Sequence, residues 1–287
     1  MKTIRSRINI RTWDDGGDIS HFTYLHPSEI FPSAIVKRAG EVRELPECLR
    51  SEIGRFVVDS QSQQTLSQFC EVNPVDGFII VHKGEVVFEE YPRMQPDDRH
   101  LIFSVTKAFV GTVISLLEDR EQLSLQQPVD QILPELQGTA WRGVTLRDVS
   151  DMASGMEGSE DNLAAYTDPK HKHFQMEAAL GWQPRSTNMP ASVRSGEVYR
   201  FVHSLRQEKA PGQEWVYTSA NTLLLGETIE RVTGKRLADV ISNTIWRRVG
   251  AQGWAISAQQ AGVPYCPWRT RDDTARSGPF RNVVHPR

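Results

Sequence analysis

Residues 101–117, LIFSVTKAFVGTVISLL, constrain this chain more than any other stretch. Leu101, Ile102, Phe103, Val105, Phe109, Val110, Val113 and Ile114 put apolar side chains on nearly every side of a helix. Such a helix belongs at the centre of a fold, covered by other elements. It also carries Ser104 and Lys107, three positions apart and so on one helical face. The end where they sit bears partial positive charge and unsatisfied backbone N–H groups. A serine hydroxyl is a weak nucleophile until a base takes its proton. A lysine serves as that base when burial or a nearby cation favours its neutral form. A plainer explanation stands beside this one. Ser-x-x-Lys arises by chance, and lysines reach out of apolar helices along their methylene stems.

The chain has 287 residues, enough for a substantial core and one or two domains. With 39% hydrophobic and 24% charged residues it has the composition of an ordinary globular protein. A net charge of −3 gives no support for nucleic acid as a partner. Cys48, Cys70 and Cys266 are far apart, without a C-x-x-C pair, so neither zinc nor a disulfide framework is expected. The start, MKTIRSRINIRTW, is basic but has no apolar core of a signal peptide. No run is long enough for a membrane span, and a cytoplasmic location is the expectation.

Residues 1–50, interrupted by Pro27, Pro32 and Pro46, read as an irregular arm laid over the body. Ser51 to Cys70 reads as a helix with Ile53, Phe56, Val57, Leu66 and Phe69 on its apolar side. Residues 77–92, GFIIVHKGEVVFEEYP, read as a β-hairpin turning at Lys83-Gly84. Residues 126–136, with Pro128 and Pro134, form a connector. Thr145 and Asp148 make a variant capping box that opens a short helix from Leu146 to Met152, stopped by Ser154-Gly155. Residues 156–196 are polar and loop-like, the kind of long segment that carries function. Its aromatics Tyr166, Phe174 and Trp182 either line a pocket or anchor the loop, and Glu177 either meets a polar substrate group or is solvated. His171 and His173 lack a third ligand at a metal-binding spacing. Val198 to Leu205 reads as a turn or two of helix. Ser219 or Asn221 caps a helix carrying Leu223, Leu224, Leu225, Ile229 and Val232, ended by Gly234. Tyr217 stands on the loop just before it, where a phenol can exchange a proton.

SVTK at 104–107, TLRDVSDMASG at 145–155 and YTSANTLLLGETIERVTG at 217–234, in that order and spacing, resemble the serine β-lactamase-like, penicillin-recognising family. The likeness is to its class C and family VIII esterase branch and spans roughly residues 75–260. It implies an α/β chain of the α+β type, with an antiparallel sheet beside a helical region. It implies Ser104 as nucleophile forming an acyl-enzyme, with Lys107 and Tyr217 sharing the acid/base work. Tyr166, Glu177, Trp182, Ser219 and Asn221 become candidate substrate-binding residues. The implied partner is a small-molecule ester or amide, with no metal or organic cofactor, no nucleic acid and no membrane; a homodimer is left open.

The sequence departs from that family in two places. Many class C enzymes carry Asn two positions after the tyrosine; this chain has Ser219, with Asn221 further on, which leans toward an esterase or amidase. No third motif of Lys-Thr-Gly or His-x-Gly type follows. Residues 263–287 are rich in Arg and Pro, without periodicity, and read as an atypical tail after a hydrolase domain over 51–262. The sheet is therefore expected to be incomplete, with a bare hairpin edge and one oxyanion donor missing. The expected function is a serine hydrolase acting on a carboxylic ester or linear amide. The alternative is a truncated, inactive relative or a non-catalytic binding protein.

Overall fold

The computed structural model describes residues 7–258, apart from 10, 15, 39 and 254. The N-terminal arm is more regular than its sequence suggests. It holds helix α1 (Gly17–Leu25) and strand β1 (Ser33–Val36), which pairs antiparallel with the last described strand, Ala255–Ala258. Helix α1 buries Ile19, Ser20 and Thr23, a helical spacing hidden because only one of the three is strongly apolar.

The helix expected over residues 51–70 is mostly something else. The chain makes a 3-10 turn at Ile53–Arg55, then a small hairpin of β2 (Val57–Asp59) and β3 (Gln64–Thr65). Only then does α2 (Leu66–Val72) begin. Two local preferences decide this: Val57 and Val58 are β-branched, and Thr65 with Gln68 forms a complete capping box that starts the helix at Leu66. Phe56 and Phe69 stay exposed, so no apolar helical side exists there.

The second hairpin is as expected, β4 (Phe78–His82) with β5 (Glu85–Glu90). Lys83 and Gly84 both have positive φ, 54° and 85°, the conformation of a type I′ turn that matches strand twist. The edge of β5 is not bare. Val86 exchanges backbone hydrogen bonds with Pro46 and Cys48 at 2.9 and 2.8 Å. The exposed side chains are Ile79 and Val81 of β4.

The apolar stretch forms a 3-10 turn at Phe103–Val105 and then helix α3 (Thr106–Asp119). It buries one side only, through Val110, Val113, Ile114 and Leu117. Ile102 and Val105 are 46% and 60% exposed, so the expectation of an all-round central helix is corrected. The apolar residues around Ser104 belong to the turn before the helix and lie away from the neighbour that covers its buried side.

Short helices α4 (Val129–Ile132) and α5 (Leu146–Ser150) follow, the latter opened by the Thr145–Asp148 box, with both reciprocal hydrogen bonds at 3.1 Å. Residues 156–196 contain α6 (Ala164–Thr167) and α7 (Lys172–Leu180), so they are not simply a loop. Helix α7 buries His173 and Gln175 as well as its apolar residues, which is why its sequence shows no apolar stripe. Gly181 ends it in the left-handed conformation.

After α8 (Val198–His203) comes α9 (Ser219–Thr233), the true central helix. Every residue from Ala220 to Glu230 is buried. Two of its buried carboxylates have partners from neighbouring segments. Glu227 pairs with His203 at 2.8 Å, and Glu230 accepts the Leu237 N–H at 2.8 Å. Its cap is Thr218, whose hydroxyl accepts the Ala220 N–H, in place of Ser219 or Asn221. Helix α10 (Leu237–Ile241) continues through a π-helical turn at Ser242–Trp246, and β6 (Ala255–Ala258) closes the described chain on β1. Cys48 and Cys70 are unbridged. Cys266 and the tail at 263–287 lie outside the described residues.

Candidate active site

Ser104 sits on the 3-10 turn and Lys107 in the first turn of α3. The residue before the serine, Phe103, has a positive φ of 40°. That is strained for a bulky side chain, at a cost of about 1–3 kcal/mol. The ring is held in place by an edge contact to Tyr24 at 5.0 Å and a stacked one to Trp13 at 6.4 Å.

Lys107 Nζ is the hub. It donates to Ser104 Oγ at 2.8 Å and to Ser219 Oγ at 2.9 Å, and lies 4.7 Å from the centre of the Tyr217 ring. Tyr217 is held from two sides. Its carbonyl accepts the Glu160 N–H at 3.0 Å, and the neighbouring Val216 N–H bonds Met152 at 2.8 Å. The same turn needs glycine at 155, because a Cβ there would lie 2.1 Å from the Lys209 carbonyl.

A cavity of about 540 Å³ opens beside this hub. Ser104, Lys107, Tyr166, Glu177, Trp182 and Ser219 line it, and the structure brings these sequence candidates together. Asn221 is not among the lining residues. It is fully buried and accepts the Ser154 hydroxyl at 2.7 Å, because two positions along a helix turn it away from the face that Ser219 presents. Its expected role at the substrate is therefore corrected to a packing and hydrogen-bonding one. Phe174 likewise belongs to the core. Glu177 is far from solvated, its side chain being 13% exposed.

Several lining residues carry no signal in the sequence. Arg11, Trp13 and Asp14 come from the N-terminal arm. Trp13 is tied down by its Nε1–H, which donates to the Trp182 carbonyl at 2.8 Å, and packs edge-on to the Trp182 ring at 5.6 Å. Glu160 and His173 come from the polar segment, whose unusual length was the hint for Glu160, while His173 stood out only beside His171 as an incomplete metal pair. Glu160 accepts a hydrogen bond from the Ser219 backbone N–H. His173 lies between Glu160 and Glu177, at 3.5 and 3.4 Å. Tyr166 is pushed up to about 12, first by burial and then by the charges of Glu160 and Glu177, so its phenol stays a donor. Among the described residues no group of three or more His, Cys, Asp or Glu side chains is arranged to hold a metal.

A serine hydroxyl within hydrogen-bond reach of a lysine amine, at the rim of a cavity, is the geometry of an activated nucleophile. Helices packed beside small antiparallel strands around such a pair define a β-lactamase/transpeptidase-like fold. The chain belongs to the beta-lactamase family, whose model matches residues 66–286. It is 31% identical over 248 residues to the 6-aminohexanoate-dimer hydrolase of Paenarthrobacter ureafaciens, covering 86% of this chain and 59% of that protein. It is 28% identical over 174 residues to an unguisins hydrolase of Aspergillus campestris, covering 58% of this chain and 29% of that one. The chain thus spans about three fifths of the first relative's length and under a third of the second's. A solved structure of a Bacillus anthracis protein described as a 6-aminohexanoate-dimer hydrolase superposes with a TM-score of 0.78 at 23% identity, over 88% of this chain and 65% of that one. At that identity the likeness is one of fold.

Proposed function

We propose that this protein is a serine hydrolase that cleaves a carboxylic ester or a linear amide through an acyl-enzyme on Ser104. The observation that carries the reading is the 2.8 Å contact between Lys107 Nζ and Ser104 Oγ at the rim of the cavity. Lys107 takes the hydroxyl proton as Oγ attacks the substrate carbonyl carbon. The backbone N–H of Ser104 is one donor to the oxyanion that forms. Lys107 and Tyr217 then return the proton to the departing alcohol or amine. Water attacks the acyl-enzyme by the same route in reverse and releases the acid. No step needs a metal or an organic cofactor. Ser219 holds Lys107 in line, and its place two after Tyr217 favours an ester or linear amide over a β-lactam. The names of the two curated relatives, both hydrolases, favour hydrolysis as the outcome.

The test uses purified protein with p-nitrophenyl acetate and butyrate and a fluorophosphonate probe. Labelling and turnover that vanish together in Ser104→Ala are the expected result. A cooperatively melting protein that neither labels nor turns over would sink the reading and leave a non-catalytic binding role.

A further inference from the structure

His173 has no part in the acyl-transfer steps, yet it is buried in the wall of the same cavity. Its side chain is 4% exposed, and neither ring nitrogen makes a hydrogen bond among the described residues. Nδ1 faces Glu160 at 3.5 Å and Nε2 faces Glu177 at 3.4 Å. The Tyr166 ring meets the imidazole edge-on at 4.9 Å. A neutral imidazole has one N–H and one bare lone pair. Each ring nitrogen faces a different carboxylate, so the ring bridges the two acids by its position alone. Burial leaves the ring little freedom to turn away, and an unpaired buried carboxylate is costly.

These contacts lead back to the nucleophile. Glu160 accepts the backbone N–H of Ser219, and the Ser219 hydroxyl accepts from Lys107, which contacts Ser104. We infer that His173 is a positioning residue: it ties Glu177 to Glu160 and, through Glu160, holds the first turn of α9 where Ser219 meets Lys107. Charged and titratable groups around it include Glu160 from the loop before α6, Tyr166 from α6, Glu177 from its own helix and His171, whose Nδ1 accepts the His173 backbone N–H at 3.2 Å. The inference rests on the hydrolase reading of Ser104. It adds a residue at which the substrate wall and the acyl-transfer hub are mechanically one unit.

The experiment measures p-nitrophenyl acetate turnover, fluorophosphonate labelling and thermal melting for wild type, H173Q, H173F, E160Q and the H173Q/E160Q pair. A positioning role predicts a kcat loss of about 10- to 100-fold in H173F, the scale of a misplaced catalytic group. H173Q, which keeps an N–H donor, retains more activity than H173F, and KM moves little in either. The double variant is no slower than E160Q alone, because the two residues act in series. A packing role predicts the opposite order, since phenylalanine fills the site beside Tyr166 better than glutamine. H173F turning over at the wild-type rate, or losses that multiply in the double variant, would overturn the inference while Ser104 still labels. Wild-type protein that does not label overturns the hydrolase reading and this inference with it. Should H173F fail to fold, H173Q, E160Q and their double variant decide the matter alone.

Discussion

Lys107 reaches Ser104 across a change of helix type, donating at 2.8 Å from the first α-helical turn to a serine still in the 3-10 turn before it. The same amine holds Ser219 at 2.9 Å, so two serines from different helices share one donor. Ser104 and Ser219 are not equivalent in this arrangement, and substitution separates them. Ser104→Ala and Lys107→Ala are expected to lower kcat by about 10³-fold or more, as loss of a member of a nucleophile–base unit does. Ser219→Ala removes one hydrogen bond to the amine, about 0.5–1.5 kcal/mol, and slows turnover by roughly 2- to 10-fold. Steady-state and burst kinetics with p-nitrophenyl esters check both; equal losses at the two serines would contradict the assignment.

Thr218→Ala should join a stability loss to an activity loss. The Thr218 hydroxyl caps α9 one residue before Ser219. Removing an N-cap costs about 1 kcal/mol, which urea unfolding detects. Thr145→Ala, which breaks the capping box of α5, is expected to cost about the same by that rule and to leave kcat unchanged. The pair distinguishes a cap that serves the site from one that serves the fold.

Asp76 should govern the acid limb of stability. It accepts from His21 at 2.7 Å and His100 at 2.8 Å and faces Arg93 at 3.4 Å, fastening α1 to the chain on either side of the second hairpin. Burial pushes its carboxyl up, but the bonds from His100 and His21 and the charges of His21 and Arg93 outweigh this and hold it below the usual range. A carboxylate whose folded pKa is depressed stabilises fully above its unfolded value, and that contribution is lost as the pH falls through the folded value. Asp76→Asn is therefore less stable than wild type at neutral pH, by about 1 kcal/mol for part-buried bonds screened by solvent. The gap closes as the pH falls below the ordinary value of 3.8. Urea melts at a series of pH values test this, and a gap that widens on acidification would refute it.

The aromatic wall predicts a split in kinetic parameters. Trp182→Ala removes the partner of Trp13 and opens the cavity. Tyr166→Phe removes a phenol held near 12 and so protonated at working pH. Both residues line the cavity and take no part in the proposed proton transfers, so KM should rise several-fold while kcat changes less, as expected when binding common to ground and transition states is lost. A kcat loss with KM unchanged would instead place Tyr166 in proton transfer.

How much of this was legible in residues alone varies from place to place. The hairpin at 78–90 was plain because β-branched and aromatic residues flank Lys83-Gly84, and both turn residues adopt the positive φ such a turn needs. The Thr145 box and the Gly234 terminus were plain for the same kind of reason: one side chain or one missing Cβ decides a local hydrogen bond. Helix α7 was hidden. Its buried positions include His173 and Gln175, which face Glu160 and the Pro169 carbonyl from the loops before it in the chain, so no apolar stripe marks it. Trp13 was hidden too, since nothing around it in sequence states that its Nε1–H will find the Trp182 carbonyl 169 residues away.

The sequence by itself determined that Ser104 and Lys107 share a face, because their three-residue spacing is a property of local backbone geometry. It also determined the tyrosine that precedes α9 and the helix that follows it. Only the tertiary structure decided that α9, and not α3, is the covered centre of the fold. It alone decided that Ser219 meets Lys107 while Asn221 turns into the core, and that the N-terminal arm supplies a wall of the cavity. The physical reason is one of range: spacing along a chain sets which side chains share a face, but burial and buried hydrogen bonds are settled by whichever distant segment packs against that face.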